Sequence, residues 1–221
     1  MLERVALLLV LCAGCQAPRG GAEPTPGLQV HEVGEGRRVL VLLHGYGAAG
    51  DDLVPLGRRL AREAGFKVVL PEAPIDLGGG RAWFNRRGDQ IPEEVRRARG
   101  QLASLVAALR TQADVLVVGG FSQGAMMSAD LALETDELEG VILFSGATLP
   151  FWSSARRPGL PVLVTHGFAD RVLPIEDGRA LEQAMRATGA EVRMVTFEGG
   201  HAIPEVAIRA AIEHLSGMAP R

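Results

Sequence analysis

Asp114-Val115-Leu116-Val117-Val118-Gly119-Gly120-Phe121-Ser122-Gln123-Gly124 joins an apolar run to a glycine-flanked serine. Its first half is a short apolar run without alternation, which reads as a strand buried on both faces. After it, Ala125-Met126-Met127-Ser128-Ala129-Asp130-Leu131 reads as a helix. Ser122 therefore stands at a sharp bend between strand and helix, flanked by Gly120 and Gly124 in the pattern G-x-S-x-G. Such a bend holds the serine in a strained backbone conformation and brings strand and helix close together, so neighbouring side chains must be nearly absent. The serine hydroxyl then projects above the sheet edge, and the backbone N–H of Gln123 points to the same spot. In isolation this pattern recurs in many Gly- and Ser-containing loops. Between a strand and a helix it specifies a nucleophile.

The remainder of the chain alternates. Apolar runs predict strands over 28–33, 39–43, 68–70, 114–118, 141–144, 162–165 and 191–197. Amphipathic spacing predicts helices over 52–64, 92–112, 123–134, 175–188 and 204–215. Boundary residues agree: Asp51 or Asp52 as an N-cap, Pro92 and Pro204 near a first turn, Gly65 and Gly189 after a helix end. Continuous Val/Leu/Ile runs belong to a mostly parallel sheet with helices on both faces, an α/β fold.

A serine nucleophile at such an elbow is followed along the chain by an acid and a histidine. Beyond Ser122 the histidines are His166, His201 and His214. His214 falls in the terminal amphipathic stretch and reads as a helix residue, and His166 ends the 162–165 strand and reads as structural. His201 lies in Gly199-Gly200-His201, a loop between a strand and the last helix, where a general base reaches over the sheet. The acid is Asp170, in the loop after the 162–165 strand, whereas Asp130, Asp136 and Asp177 fall on helices or their ends. An oxyanion site needs a second backbone N–H from the loop after an earlier strand. The 39–43 strand ends in His44-Gly45-Tyr46-Gly47, so the amide of Tyr46 pairs with that of Gln123.

Taken together, His44-Gly-Tyr-Gly, Gly120-Phe-Ser-Gln-Gly-Ala, His166-Gly-x-x-Asp170 and Gly200-His-x-Ile-Pro-x-Glu205 resemble the phospholipase/carboxylesterase family of α/β-hydrolases, whose relatives include acyl-protein thioesterases. The resemblance extends over about residues 39–215. It implies a serine esterase acting on carboxylic esters, thioesters or lysolipids without a cofactor, with Ser122, Asp170 and His201 as triad and Tyr46 and Gln123 as oxyanion donors. The chain departs from the family pattern in carrying Tyr46 where relatives often have Leu, and around Gly78-Gly79-Gly80. Both departures touch the substrate side.

Composition fits this reading. A chain of 221 residues, 47% hydrophobic, buries a large core as one domain. A net charge of −3 supplies no general attraction to nucleic acid. Arg81, Arg86, Arg87, Arg96, Arg97, Arg99 and Arg110 outnumber Asp89, Glu93 and Glu94 locally. That cluster reads as a solvated helix face with a Glu93–Arg97 pair, or as a patch for anionic lipid. No Walker loop, no G-x-G-x-x-G after a strand and no histidine pair at metal spacing occurs, so neither a nucleotide cofactor nor a metal is expected.

The first residues form a separate unit. Residues 5–11 are a seven-residue apolar core, too short to span a bilayer, followed by Cys12-Ala13-Gly14-Cys15. This reads as a bacterial lipoprotein signal over 1–14, with Cys15 lipidated and the protein exported to the cell envelope, anchored on the periplasmic side. An ordinary secretory signal and a Cys12–Cys15 disulfide are the alternatives. Residues 15–27, with Pro18, Pro24 and Pro26, read as a flexible tether, and 28–221 as the α/β-hydrolase domain, which contains no cysteine.

Trp83, Phe84, Phe151 and Trp152 fall in loops near the carboxyl ends of strands. They either line an acyl pocket or pack those loops to the body. The function expected is ester or thioester hydrolysis through an acyl-enzyme. A lipid-anchored scaffold on a hydrolase fold, and an acyltransferase or depolymerising esterase with the same triad, stand as alternatives. The sequence is silent on oligomeric state.

Overall fold

The structure, a computed structural model, describes residues 27–150 and 155–219. Its centre is a seven-stranded sheet in the order β1-β3-β2-β6-β7-β8-β9. The strands are β1 (Val30–Val33), β2 (Arg38–Leu43), β3 (Lys67–Pro71), β6 (Val115–Phe121), β7 (Gly140–Phe144), β8 (Pro161–Gly167) and β9 (Glu191–Phe197). All neighbours run parallel except β1, which pairs antiparallel with β3 at one edge. The four central strands β2, β6, β7 and β8 are buried almost throughout, which is why their sequences do not alternate. At the far edge β9 alternates only at its start, where Glu191 and Arg193 are exposed and Val192 is buried.

Parallel strands need crossovers, and the helices that supply them divide between the two faces. Helices α1 (Val54–Ala64) and α5 (Glu205–Ser216) cover one face, packing Leu60, Ala207, Ala211 and Leu215 on Leu40, Leu42, Val117 and Leu163. Helices α2 (Ile91–Arg110), α3 (Gln123–Glu134) and α4 (Ile175–Ala187) cover the other, packing Leu102, Met127 and Leu181 on Val41, Leu43, Val118 and Val164. Successive residues of β2 thus face opposite cores, as the two-residue period of a strand requires.

Three local readings are corrected. Neither Asp51 nor Asp52 caps α1: the N-cap is Leu53, with Pro55 in the first turn setting helical φ, and Asp51 contributes its backbone carbonyl to the Val54 amide at 2.9 Å. Strand β6 runs to Phe121 instead of stopping at 118, because Gly119, Gly120 and Phe121 pair in register with Ile142, Leu143 and Phe144. Within the arginine cluster Glu93 pairs with Arg96, not Arg97. Arg81, Arg99 and Arg110 are matched by Glu72, Glu134 and Glu139 at 2.9, 2.9 and 2.8 Å. Those three have protein partners, which weakens the case for a lipid-binding patch.

A small element is absent from the sequence reading. Strands β4 (Ile75–Asp76) and β5 (Arg81–Ala82) form a hairpin around Gly78-Gly79-Gly80. Two-residue strands leave no periodicity to detect.

Helix α3 also carries a charge that its packing disfavours. Asp130 is 1% exposed, and burial pushes its carboxyl up to about 6, although Arg99 at 3.6 Å pulls the other way. A carboxyl whose folded pKa is raised favours the folded state below its unfolded pKa, near 4, and loses that contribution as pH rises through 6. Asp130→Asn is therefore expected to raise the melting temperature more at pH 8 than at pH 4. Equal shifts at the two pH values in thermal scans would show that the charge is not the cause.

Candidate active site

Ser122 sits at the end of β6 as the N-cap of α3 with φ 55° and ψ −117°. Only Ser145 shares a positive φ among the described non-glycine residues. The strain is held by the Ser122 amide, which donates to the Phe144 carbonyl of β7 at 2.9 Å. Contact explains the flanking glycines. A Cβ on Gly120 would lie 2.4 Å from the backbone of Gly124, and one on Gly124 would lie 2.2 Å from the Leu43 carbonyl oxygen. Side chains at either position would part the strand from the helix.

The loop after β2 is fixed from below. His44 is 1% exposed, and burial lowers its pKa below the ordinary value, with the Gly45 carbonyl partly offsetting this. The neutral ring donates from Nδ1 to the Gly45 carbonyl at 2.8 Å and accepts the Ala73 amide at Nε2 at 3.0 Å. Its own carbonyl takes the Trp83 indole N–H at 2.9 Å. The β4–β5 hairpin closes the other side: Gly47 N–H donates to the Arg81 carbonyl and Arg81 N–H to the Ala48 carbonyl, both at 2.8 Å. Gly80 has to be glycine, because a Cβ there would lie 2.1 Å from the Gly47 oxygen. Among the described residues this turn commits the amides of Gly47 and Ala48, and not that of Tyr46. The Gln123 amide, first in α3, has no intrahelical acceptor either.

Asp170 and His201 meet across two loops. His201 Nδ1 lies 2.6 Å from Asp170 Oδ2, while Asp170 Oδ1 accepts the amides of Val172 and Leu173 at 2.8 and 2.9 Å. Burial would raise the Asp170 carboxyl, but the Leu173 amide, His201 and the Val172 amide outweigh it and hold the group below its usual value. The carboxylate thus stays ionised and fixes the proton of His201 on Nδ1, which leaves Nε2 to accept. The Phe121 ring packs on His201 with centroids 4.7 Å apart. His166 is fully buried, 3.5 Å from Asp170 Oδ2, and donates from Nε2 to the Leu173 carbonyl at 2.8 Å. It buttresses the Asp170 turn and does not reach the cavity. His214 does not line the cavity either; it lies on α5, where burial lowers its pKa to about 4.

Ser122 and His201 line one cavity of about 340 Å³, shared with Gly45, Tyr46, Phe84, Phe121, Gln123 and Met126. Arg86, Val172 and Leu173 complete it. Phe84 thus stands where an acyl-pocket residue is expected. Trp83 does not: its place among the substrate-binding residues is corrected, and the alternative, that it packs the loop to the body, holds. Its side chain is fully buried beneath the loop, bonded to the His44 carbonyl, and its amide donates to Gln123 Oε1 at 2.9 Å. Phe151, Trp152 and Cys15 lie outside the described residues. Trp83→Ala is expected to cost about 3–5 kcal/mol, as for a large core aromatic, and to lower rates on all esters together. Altered acyl-chain preference at an unchanged melting temperature would restore a pocket role.

Sequence reasoning missed Arg86, Met126, Val172 and Leu173. Met126 carried a usable signal, since the fourth residue after an elbow serine lies one helical turn above it. The other three come from loops whose paths follow no periodicity.

A profile of the phospholipase/carboxylesterase family matches residues 30–219. The chain belongs to that family. An acyl-protein thioesterase 1 homolog of Dictyostelium discoideum is 25% identical over 190 residues, 75% of this chain and 84% of the relative. A rice protein (Oryza sativa subsp. japonica) named "Probable inactive carboxylesterase" is 28% identical over 193 residues, 75% of this chain and 78% of the relative. In three dimensions the crystal structure of esterase PE8 is similar, with a TM-score of 0.75 and 27% identity over 87% of this chain and 100% of the other. The sheet order and helix placement are those of the α/β-hydrolase fold that this family shares. One relative bears the name inactive, so family membership alone does not confer activity, and the side chains around the elbow must supply it.

Proposed function

We propose that the protein is a serine hydrolase of carboxylic esters or thioesters that works through an acyl-enzyme on Ser122. The observation carrying this is the 2.6 Å His201 Nδ1–Asp170 Oδ2 contact beside a strained serine that lines the same cavity. His201 Nε2 takes the Ser122 hydroxyl proton as Oγ attacks the carbonyl carbon, and returns it to the departing alcohol or thiol. The negative charge on the carbonyl oxygen is met by the amides of Tyr46 and Gln123, which α3 and the braced loop hold in place without reorganisation. Asp170 stays ionised and stabilises the imidazolium. Water, activated by the same His201, then releases the acid. Phe84, Phe121, Met126 and Leu173 give the acyl group an apolar wall.

A fluorophosphonate probe at neutral pH, followed by peptide mass spectrometry, tests this directly. The adduct is expected on Ser122, and hydrolysis of a panel of p-nitrophenyl esters and acyl thioesters should accompany it. A folded protein that takes no label would leave the non-catalytic scaffold as the better reading.

The site of action is a second part of the proposal. The apolar core of residues 5–11 before Ala13-Gly14-Cys15 supports cleavage after residue 14 and lipidation of Cys15, in an exported protein held at the cell envelope. The family match begins at residue 30, which supports reading residues 1–27 as leader and tether. Residues 16–27, fully extended at about 3.3 Å each, reach about 40 Å. Two acyl chains suffice for stable anchoring where one is marginal. Cys15→Ser is expected to move the protein from the membrane to the soluble fraction and to remove the lipid mass. A wild-type chain that starts elsewhere and is soluble would sink the anchor and leave the hydrolase chemistry untouched.

A further inference from the structure

Among the described residues one side chain with a permanent charge lines the catalytic cavity: Arg86. Its position is built. The three residues before it are pinned in succession: the Trp83 amide to Gln123 Oε1 at 2.9 Å, the Phe84 carbonyl by Gln123 Nε2 at 2.6 Å, and the Asn85 amide to Glu94 Oε2 at 2.7 Å. Gln123 is the residue after the serine, so the segment carrying Arg86 is tied to the elbow itself. The Arg86 guanidinium lies over the Tyr46 ring, 5.6 Å from its centroid, at the lip of the oxyanion loop.

Among the described residues the charge has no protein counterion. No carboxylate of those residues pairs with Arg86, in contrast to Arg81, Arg99 and Arg110 nearby in sequence. Of the carboxylates that follow it in the chain, Asp89 is exposed and forms no ion pair with Arg86, Glu93 pairs with Arg96, and Glu94 is consumed by the amide and the side chain of Asn85 at 2.7 and 2.6 Å. No described carboxylate lines the cavity, and Asp170, the acid behind it, is already engaged by His201 and two amides. The 12-residue helix α3 adds the positive end of its dipole at Gln123 on the cavity floor. Arginine, serine, histidine and helix end together make a cleft with apolar walls and a positive mouth.

Resting on the hydrolase reading, we propose that Arg86 selects esters that carry an anionic group, a carboxylate or phosphate, at a short distance from the scissile carbonyl. The guanidinium presents a planar fork to such a group and is weakly hydrated, so the pair forms at low desolvation cost at the half-open mouth. A neutral ester fills the same apolar wall and leaves the fork in water.

The test is a ratio of kcat/KM for matched esters, anionic over neutral, in wild type, Arg86→Gln, Arg86→Lys, Arg86→Glu and Arg87→Gln. Three pairs separate the sources of the charge: p-nitrophenyl hemisuccinate against p-nitrophenyl butyrate for an acyl-side carboxylate; 4-carboxyphenyl acetate against phenyl acetate for an alcohol-side carboxylate; 4-acetoxyphenyl phosphate against phenyl acetate for a phosphate. In at least one pair the ratio is expected to fall about fivefold or more in Arg86→Gln, to fall less in Arg86→Lys, which keeps the charge without the fork, and to fall further in Arg86→Glu than in Arg86→Gln. In that pair roughly 0.5 M salt should shrink the wild-type ratio. Arg87→Gln, whose side chain does not line the cavity, should leave it alone. Ratios that stay the same in Arg86→Gln for all three pairs, or fall equally in Arg87→Gln, overturn the selection role while hydrolysis itself stands. Hydrolysis of none of the esters by the wild type overturns the hydrolase reading and this inference with it.

Discussion

Ser122→Ala is expected to reduce kcat on a short-chain ester by about three to six orders of magnitude, with the melting temperature nearly unchanged. The reason is local. The hydroxyl is the atom that forms the acyl bond, and the one other hydroxyl among the described cavity-lining residues, the phenol of Tyr46, belongs to a ring that faces Arg86. The variant keeps the elbow backbone, since the strain at φ 55° is held by the Phe144 carbonyl and not by the side chain. Residual activity should come from binding and the two amides, and it should show no burst of leaving group. Steady-state rates and burst amplitudes with p-nitrophenyl acetate decide this. A variant that keeps more than about a tenth of wild-type turnover would remove Ser122 from the nucleophile role.

His201→Ala and Asp170→Asn should each lower kcat by at least about two to four orders of magnitude. They act for different reasons. Without the imidazole no group on the cavity wall accepts the serine proton. In Asp170→Asn the ring remains, but a neutral amide can donate to Nδ1 and so turn the basic nitrogen away from the serine. That variant should also be somewhat less stable, because Oδ1 accepts the amides of Val172 and Leu173, and an amide side chain must present its oxygen to one side only. Groups acting as one unit are not additive, so the Ser122→Ala/His201→Ala double variant should cost little beyond either single one. Asp177→Asn is the control: Asp177 lies in the first turn of α4, away from the cavity wall, and its loss should leave kcat within a few-fold. Losses that multiply in the double variant would mean that Ser122 and His201 do not share a step.

Most of the framework was legible in the chain because it rests on short-range rules. Seven strands and five helices were expected and are present, since buried parallel strands carry unbroken apolar runs and crossover helices carry a 3.6-residue stripe. The placement of Ser122, Asp170 and His201 at strand ends was legible for a related reason. Each lies within a few residues of a strand's end, and the carboxyl edge of a parallel sheet gathers such loops. The errors lie where the controlling contact is distant in sequence. The β4–β5 hairpin exists because Arg81 pairs with Gly47 and Ala48, more than thirty residues earlier. Trp83 and Phe84 look alike in the sequence, two adjacent aromatics in a loop, yet one packs beneath the oxyanion loop and the other faces the cavity.

The fold class, the order of the elements and the choice of the three residues proposed as triad could be read from the chain, because turn chemistry and burial period are properties of adjacent residues. Contacts across the fold settled which aromatic lines the cleft, why Gly80 admits no side chain, and that Arg86 stands at the mouth without a counterion among the described residues. Those are consequences of packing between segments remote along the chain, which no local pattern records.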